Sequence, residues 1–231
     1  MKFTLCFTII ITYFLFLSLN ILFYAELQKG YGHIFISDDD ASSVLTLLEG
    51  LRIEALLANN SITDNITYSQ DHLSKLIESI DDISDSENEF DIDSKQFDNS
   101  TVNALLFANL IDEVLTNYGA SFGVSSNVMT NMSYLSPNLT KNTNKNEGLI
   151  DNDRYLTSQE YAKRSLEIYK FNLRIFETND NKNFIEKLGQ SLMDLIHSID
   201  NKTSPLKIMN IVHTQIHPNL QAAFNLTTLK P

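Results

Sequence analysis

Three side chains with metal-binding chemistry recur at one helical spacing near the end of this chain: Met209, His213 and His217. Steps of four residues stack side chains along one face of a helix. Two imidazoles so placed can chelate one metal ion, and an added thioether favours copper. The preceding helical stretch repeats the step with Met193 and His197, and a short turn separates the two stretches. If they meet at a helix–helix seam, all five donors serve one copper site. A plainer reading stands beside it. Methionine is an ordinary core filler, His213 can be a hydrogen-bonded interior histidine, and His217 can close a helix before Pro218.

Other constellations are poorer. A ferritin-like di-iron centre needs two Glu-x-x-His elements. The chain offers only Asp194-x-x-His197, while His33, His72, His213 and His217 have no acid three residues before them. A Met/His-ligated haem would use the same residues as the copper site. A phosphate-binding glycine loop, His-Glu-x-x-His and Gly-x-Ser-x-Gly are absent, and the single cysteine, Cys6, leaves no thiol pair. No catalytic residue is assigned, and the expectation is a protein that binds rather than an enzyme. Tyr155, Tyr161, Tyr169, Phe171 and Phe176 gather with Arg154, Arg164 and Arg174, either as a ligand or partner face or as core aromatics beside a solvated basic one. Residues 81–98 carry acids at Asp81, Asp82, Asp85, Glu87, Glu89, Asp91, Asp93 and Asp98, yet lack the spacing and central glycine of a calcium loop. They read as a solvated acidic connection.

The elements that must position these residues are helical. From Asp40 to Asn59, Val44, Leu47, Leu48, Leu51, Ala55 and Ala58 recur at steps of three and four, and Ser37 with Asp40 resembles a capping box. A second helix is expected over about 69–83, with Leu73, Leu76, Ile77, Ile80 and Ile83 on one face. A third is expected over about 99–118, with Gly119 as its stop. A fourth starts at Thr157 or Ser158, and a fifth covers about 181–200. The sixth starts at Ser204 with Pro205 in its first turn, and Pro218 breaks or restarts it. No alternation long enough for a sheet appears. The fold class is all-α, an antiparallel helical bundle. Residues 26–120 form its first part and 157–231 its second. The Asn-, Ser- and Thr-rich stretch 121–156, with Pro137 and Gly148, is a linker between them, and both parts can share one core.

Residues 3–25 contain no charge. As a helix they would span about 35 Å, enough to cross a bilayer. Residues 1–25 are therefore read as a transmembrane anchor or signal segment. Lys2 precedes the run, and Asp38, Asp39 and Asp40 follow it, which places the body on the extracytoplasmic side. Ala25 suits a signal-peptidase site, but Phe23 is too bulky for one, so a single-pass anchor is favoured over secretion after cleavage. With only Met1 and Lys2 on the cytoplasmic side, signalling by the chain alone is not expected. The sequence holds 29 Asp and Glu against 17 Lys and Arg, a formal net charge of −12. That argues against nucleic acid as a partner. Asn-x-Ser/Thr sequons at Asn59, Asn65, Asn99, Asn131, Asn138, Asn201 and Asn225 would permit glycosylation on an exported body, although an Asn-rich chain produces several by chance.

Three stretches carry a resemblance: Gly32 to Ser37, Ile111 to Gly119, and Ser204 to Asn225. Together they resemble a family of uncharacterised exported helical proteins of ammonia-oxidising archaea. The resemblance spans most of the body and implies an archaeal cell-surface location; the family has no assigned activity and supplies no functional residue. It raises copper by association only, with Met129 and Met132 as further thioethers. The sequence thus points first to a membrane-anchored extracytoplasmic binding or interaction protein, an accessory part of an envelope complex. The alternative is an extracytoplasmic copper-binding protein using Met209, His213, His217, Met193 and His197.

Overall fold

A helix that is apolar over most of its circumference must lie largely inside a protein, and the segment Ser100–Ser121 comes near that condition. In the computed structural model, which describes residues 40–62, 65–84, 99–130 and 148–226, most of this helix is buried. In chain order the helices are α1 (Asp40–Ser61), α2 (Ile66–Ser84), the central α3 (Ser100–Ser121), α4 (Ser126–Thr130), α5 (Asn152–Ile168), α6 (Lys182–Asp200), α7 (Pro205–Ile211) and α8 (His217–Phe224); α5 lies along α3, and α2 packs on α1. Two π turns are continuous with them, Tyr169–Leu173 after α5 and Val212–Ile216 between α7 and α8. Among the described residues there is no strand. The apolar run 3–25, the Ser37–Asp40 box, most of the acidic stretch and residues 131–147 of the expected linker lie outside the described residues.

Side-chain hydrogen bonds between helices fix the topology. Ser69 Oγ donates to the Ala58 carbonyl (2.7 Å) and His72 Nδ1 lies 2.5 Å from Glu54 Oε2, so α1 and α2 form an antiparallel hairpin. Arg154 Nη1 donates to Asn117 Oδ1 (2.9 Å), and Asn172 Nδ2 to Asn103 Oδ1 (2.9 Å), which sets α5 antiparallel to α3. The Tyr155 and Tyr169 hydroxyls donate to the carbonyls of Ile199 (3.0 Å) and Ile185 (3.1 Å), making α6 antiparallel to α5. One hydrophobic cluster runs from Ile53 and Leu57 through Leu106, Leu110 and Val114 to Leu192, Ile208 and Leu220. Both halves of the body therefore build a single core. Each such Leu or Ile contributes about 1.5–3 kcal/mol by leaving water.

Three boundaries differ from the sequence expectation. Gly119 lies inside α3 rather than ending it, and the Met129 side chain packs where its Cβ would be. The chain turns instead at Gly123, whose φ is 74°. Helix α5 begins at Asn152, within the expected linker: Asp151 Oδ1 accepts from the backbone N–H groups of Asp153 and Arg154, both at 3.0 Å. Thr157 and Ser158 lie inside it, their hydroxyls donating to the carbonyls of Asp153 and Tyr155. Helix α2 begins at Ile66, ahead of the expected start near 69, and ends at Ser84, so the first residues of the acidic stretch are helical. Pro218 stands where an α-helix restarts, as expected: α8 runs from His217 with the proline in its first turn. The π turn ahead of it has the His217 N–H bonded to the Val212 carbonyl five residues back. That wider turn relieves the clash a proline ring makes with the carbonyl four residues before it.

Candidate functional site

The π turn Val212–Ile216 sets the geometry around the terminal histidines. His213 and His217 are both buried, with ring centroids 5.5 Å apart in an edge-to-face arrangement. His213 Nε2 lies 2.8 Å from the Met129 carbonyl. A carbonyl can only accept, so Nε2 carries the hydrogen. His217 Nε2 lies 3.4 Å from Asp112 Oδ1 on α3. Met209 is buried one turn before His213. The histidines thus tie the last helical segment to α4 through His213 and to α3 through His217.

The structure brings Met209, His213 and His217 into one buried region and leaves Met193 and His197 elsewhere. Helix α6 buries Leu188, Leu192, Leu195 and Ile199, and Met193 and His197 lie on its solvent side. His197 Nε2 accepts from Asn201 Nδ2 at 3.0 Å, a contact within one helix end. An ion bound by all five side chains would have to sit in the interior and at the solvent face at once. His213 would have to coordinate through Nδ1, because Nε2 is held by a carbonyl. Among the described residues, no group of three or more His, Cys, Asp or Glu side chains is arranged to hold a metal ion. The geometry fits interhelical hydrogen bonding better than a five-donor copper shell.

Two polar sites went unread in the sequence. His72 is buried between α1 and α2 against Glu54, with the Tyr68 ring edge-on at 4.3 Å. A pairing across 18 residues leaves no local trace beyond a histidine one turn before Leu76 on the buried side. Glu113 lies between α3 and α5. Burial pushes its carboxyl above the usual range and Asp112 adds to the shift, while Arg154 and the Asn117 side chain oppose it. Asn117 Nδ2 lies 3.2 Å from Glu113 Oε2 and its Oδ1 receives Arg154, so one amide links carboxylate and guanidinium. The signal existed here: two adjacent acids in the middle of a mostly apolar helix point to partly buried carboxylates.

No family model, no curated protein and no solved structure matches the chain. The residues themselves must carry the functional reading. The aromatic and basic cluster divides in two. Tyr155 and Tyr161 are core residues, Tyr169 reaches over Gly189 to α6, and Arg164 is committed to Glu49 through Nε–Oε2 (2.6 Å) and Nη2–Oε1 (2.5 Å). Phe171 instead points outward with Ile175, between Lys170 and Arg174.

Proposed function

We propose that this chain is a membrane-anchored extracytoplasmic helical interaction protein, acting as an accessory component of an envelope assembly. One observation carries the interaction reading: the bundle leaves Phe171, Ile175, Ile66 and Ile77 exposed although its interior is closely filled. Large apolar residues grouped on a surface mark contact sites more often than scattered ones do. The anchor rests on the uncharged run 3–25, and the archaeal surface location on the resemblance of the Gly32–Ser37, Ile111–Gly119 and Ser204–Asn225 stretches. Among the described residues no helix is long and apolar enough to cross a membrane.

The test is isolation of the full chain from its native membranes after mild cross-linking, across several detergents. Recovery in a stoichiometric complex is expected. A lone monomer under every condition would refute the reading. Mass spectrometry of the mature amino terminus checks the anchor, and a start near Glu26 would replace tethering with release.

A further inference from the structure

Two open faces of the bundle have opposite character. The first is on α2. Ser69, His72 and Leu76 turn toward α1, while Ile66, Leu73 and Ile77, at steps of seven and four, share an adjoining stripe. Their exposures are 65%, 40% and 58%. The helix is acidic, with Asp71, Glu78, Asp81 and Asp82, and its one base, Lys75, already lies 2.6 Å from Asp71. The second face is the irregular end of α5. Phe171 and Ile175 are 72% and 70% exposed, the highest values among the large apolar residues described. Lys170 and Arg174 alternate with them, both exposed, and neither joins an ion pair among the described residues. The pairs Glu49–Arg164 and Arg52–Glu167 run α1 and α5 parallel and in step. One further turn at the same offset brings the exposed Leu56 level with Phe171.

We propose that α2 of one copy docks on the Phe171–Ile175 face of a second copy, its acids meeting Lys170 and Arg174. The occupant follows from charge. A chain of net charge −12 repels its own kind over most of its surface. An α2-to-α2 contact in parallel would oppose acid to acid. The α2-to-α5 contact sets an acidic, apolar-striped helix on an apolar patch with uncommitted cations, so both the stripe and the charges are matched. The two surfaces are different, so the contact either continues head-to-tail into a ring or a row of copies or is made twice about a two-fold axis. The apolar areas are small, which places this association at the weak end of specific interfaces, and tethering to a shared membrane raises the effective concentration. This inference rests on the interaction reading and names the partner as the chain itself.

The test uses the full chain in detergent, with Cys6→Ser to remove the native thiol. Ile77→Cys and Phe171→Cys are made separately, and both positions are exposed enough for the fold to survive, with circular dichroism as the check. Under mild oxidation with diamide, a disulfide-linked dimer is expected from the equimolar mixture and not from either variant alone. Adding Lys170→Glu and Arg174→Glu to the Phe171→Cys protein should slow the linkage at least tenfold, as should raising the salt. Linkage of Ile77→Cys to itself at the rate of the mixture would overturn the proposal, and so would a mixture that stays monomeric. Indifference to charge reversal would overturn it as well. If linkage fails while the native membranes yield a complex with another envelope protein, self-association falls and the interaction reading stands.

Discussion

Replacing Gly119 with alanine sets two physical effects against each other, and the structure says which wins. In the interior of a helix such a change ordinarily stabilises by about 0.5–1 kcal/mol, because alanine loses less backbone freedom on folding. At Gly119 the added Cβ would overlap the Met129 side chain, which is itself fully buried. Relief requires the buried Met129 side chain to leave its place or α4 to shift, with the Val124 carbonyl also 3.1 Å from the added Cβ, and the Met129 carbonyl on α4 holds His213 Nε2 at 2.8 Å. Overpacking of a filled core costs about 1–3 kcal/mol. The expected net effect is destabilisation by about 1–2 kcal/mol. Urea unfolding followed by circular dichroism at 25 °C measures it, with unchanged m-values as the condition for comparison. A double-mutant cycle isolates the cause. Met129→Ala alone should cost about 2–5 kcal/mol. In that background Gly119→Ala should become neutral or stabilising by about 0.5–1 kcal/mol. If Gly119→Ala stabilises the wild-type protein, the close packing of Met129 on α3 is wrong.

Three further outcomes follow. Burial raises the Glu113 carboxyl, so the native state holds that proton more tightly than the unfolded chain; its stabilising share is complete at low pH and is lost as pH rises through the native value. Glu113→Gln should therefore match wild type below about pH 4 and melt higher at pH 7, read from Tm across that range. His213→Ala should cost about 1–3 kcal/mol by removing the hydrogen bond to Met129 and leaving a void, and titration calorimetry should find no copper affinity lost in the His213→Ala, His217→Ala double variant. Asp151→Ala should destabilise by about 1 kcal/mol by uncapping α5, measured by urea midpoint; an unchanged midpoint would show that the cap contributes nothing.

The helical architecture was readable because apolar stripes at steps of three and four need no tertiary information. Ser204 and Pro205 marked a helix start for the same reason, since the signal is local. Gly119 was misread because its role depends on Met129, which meets it from another helix. The start of α5 was hidden in an Asn-rich stretch, where one capping carboxylate, Asp151, looks like any other polar residue. Pro218 is tolerated only because the preceding turn widens, a backbone choice that no single residue announces. The metal-like spacing of Met193 and His197 was real, but spacing does not say which flank of α6 faces water. His72 and Glu54 meet through the hairpin, and only the folded α1–α2 pair brings them together.

The two acids in the middle of α3 also matter before the protein is folded. To a bilayer, a mostly apolar helix of 22 residues has the length of a membrane-spanning segment, though not its full apolar character. Asp112 and Glu113 sit near its centre, where an aspartate costs about 2.5–3.5 kcal/mol to insert and a glutamate is costly for the same reason. A chain threaded across a membrane must let this segment pass instead of lodging there. On the exported reading proposed above, the carboxyl that burdens the finished core at neutral pH would also keep this segment from lodging in the bilayer.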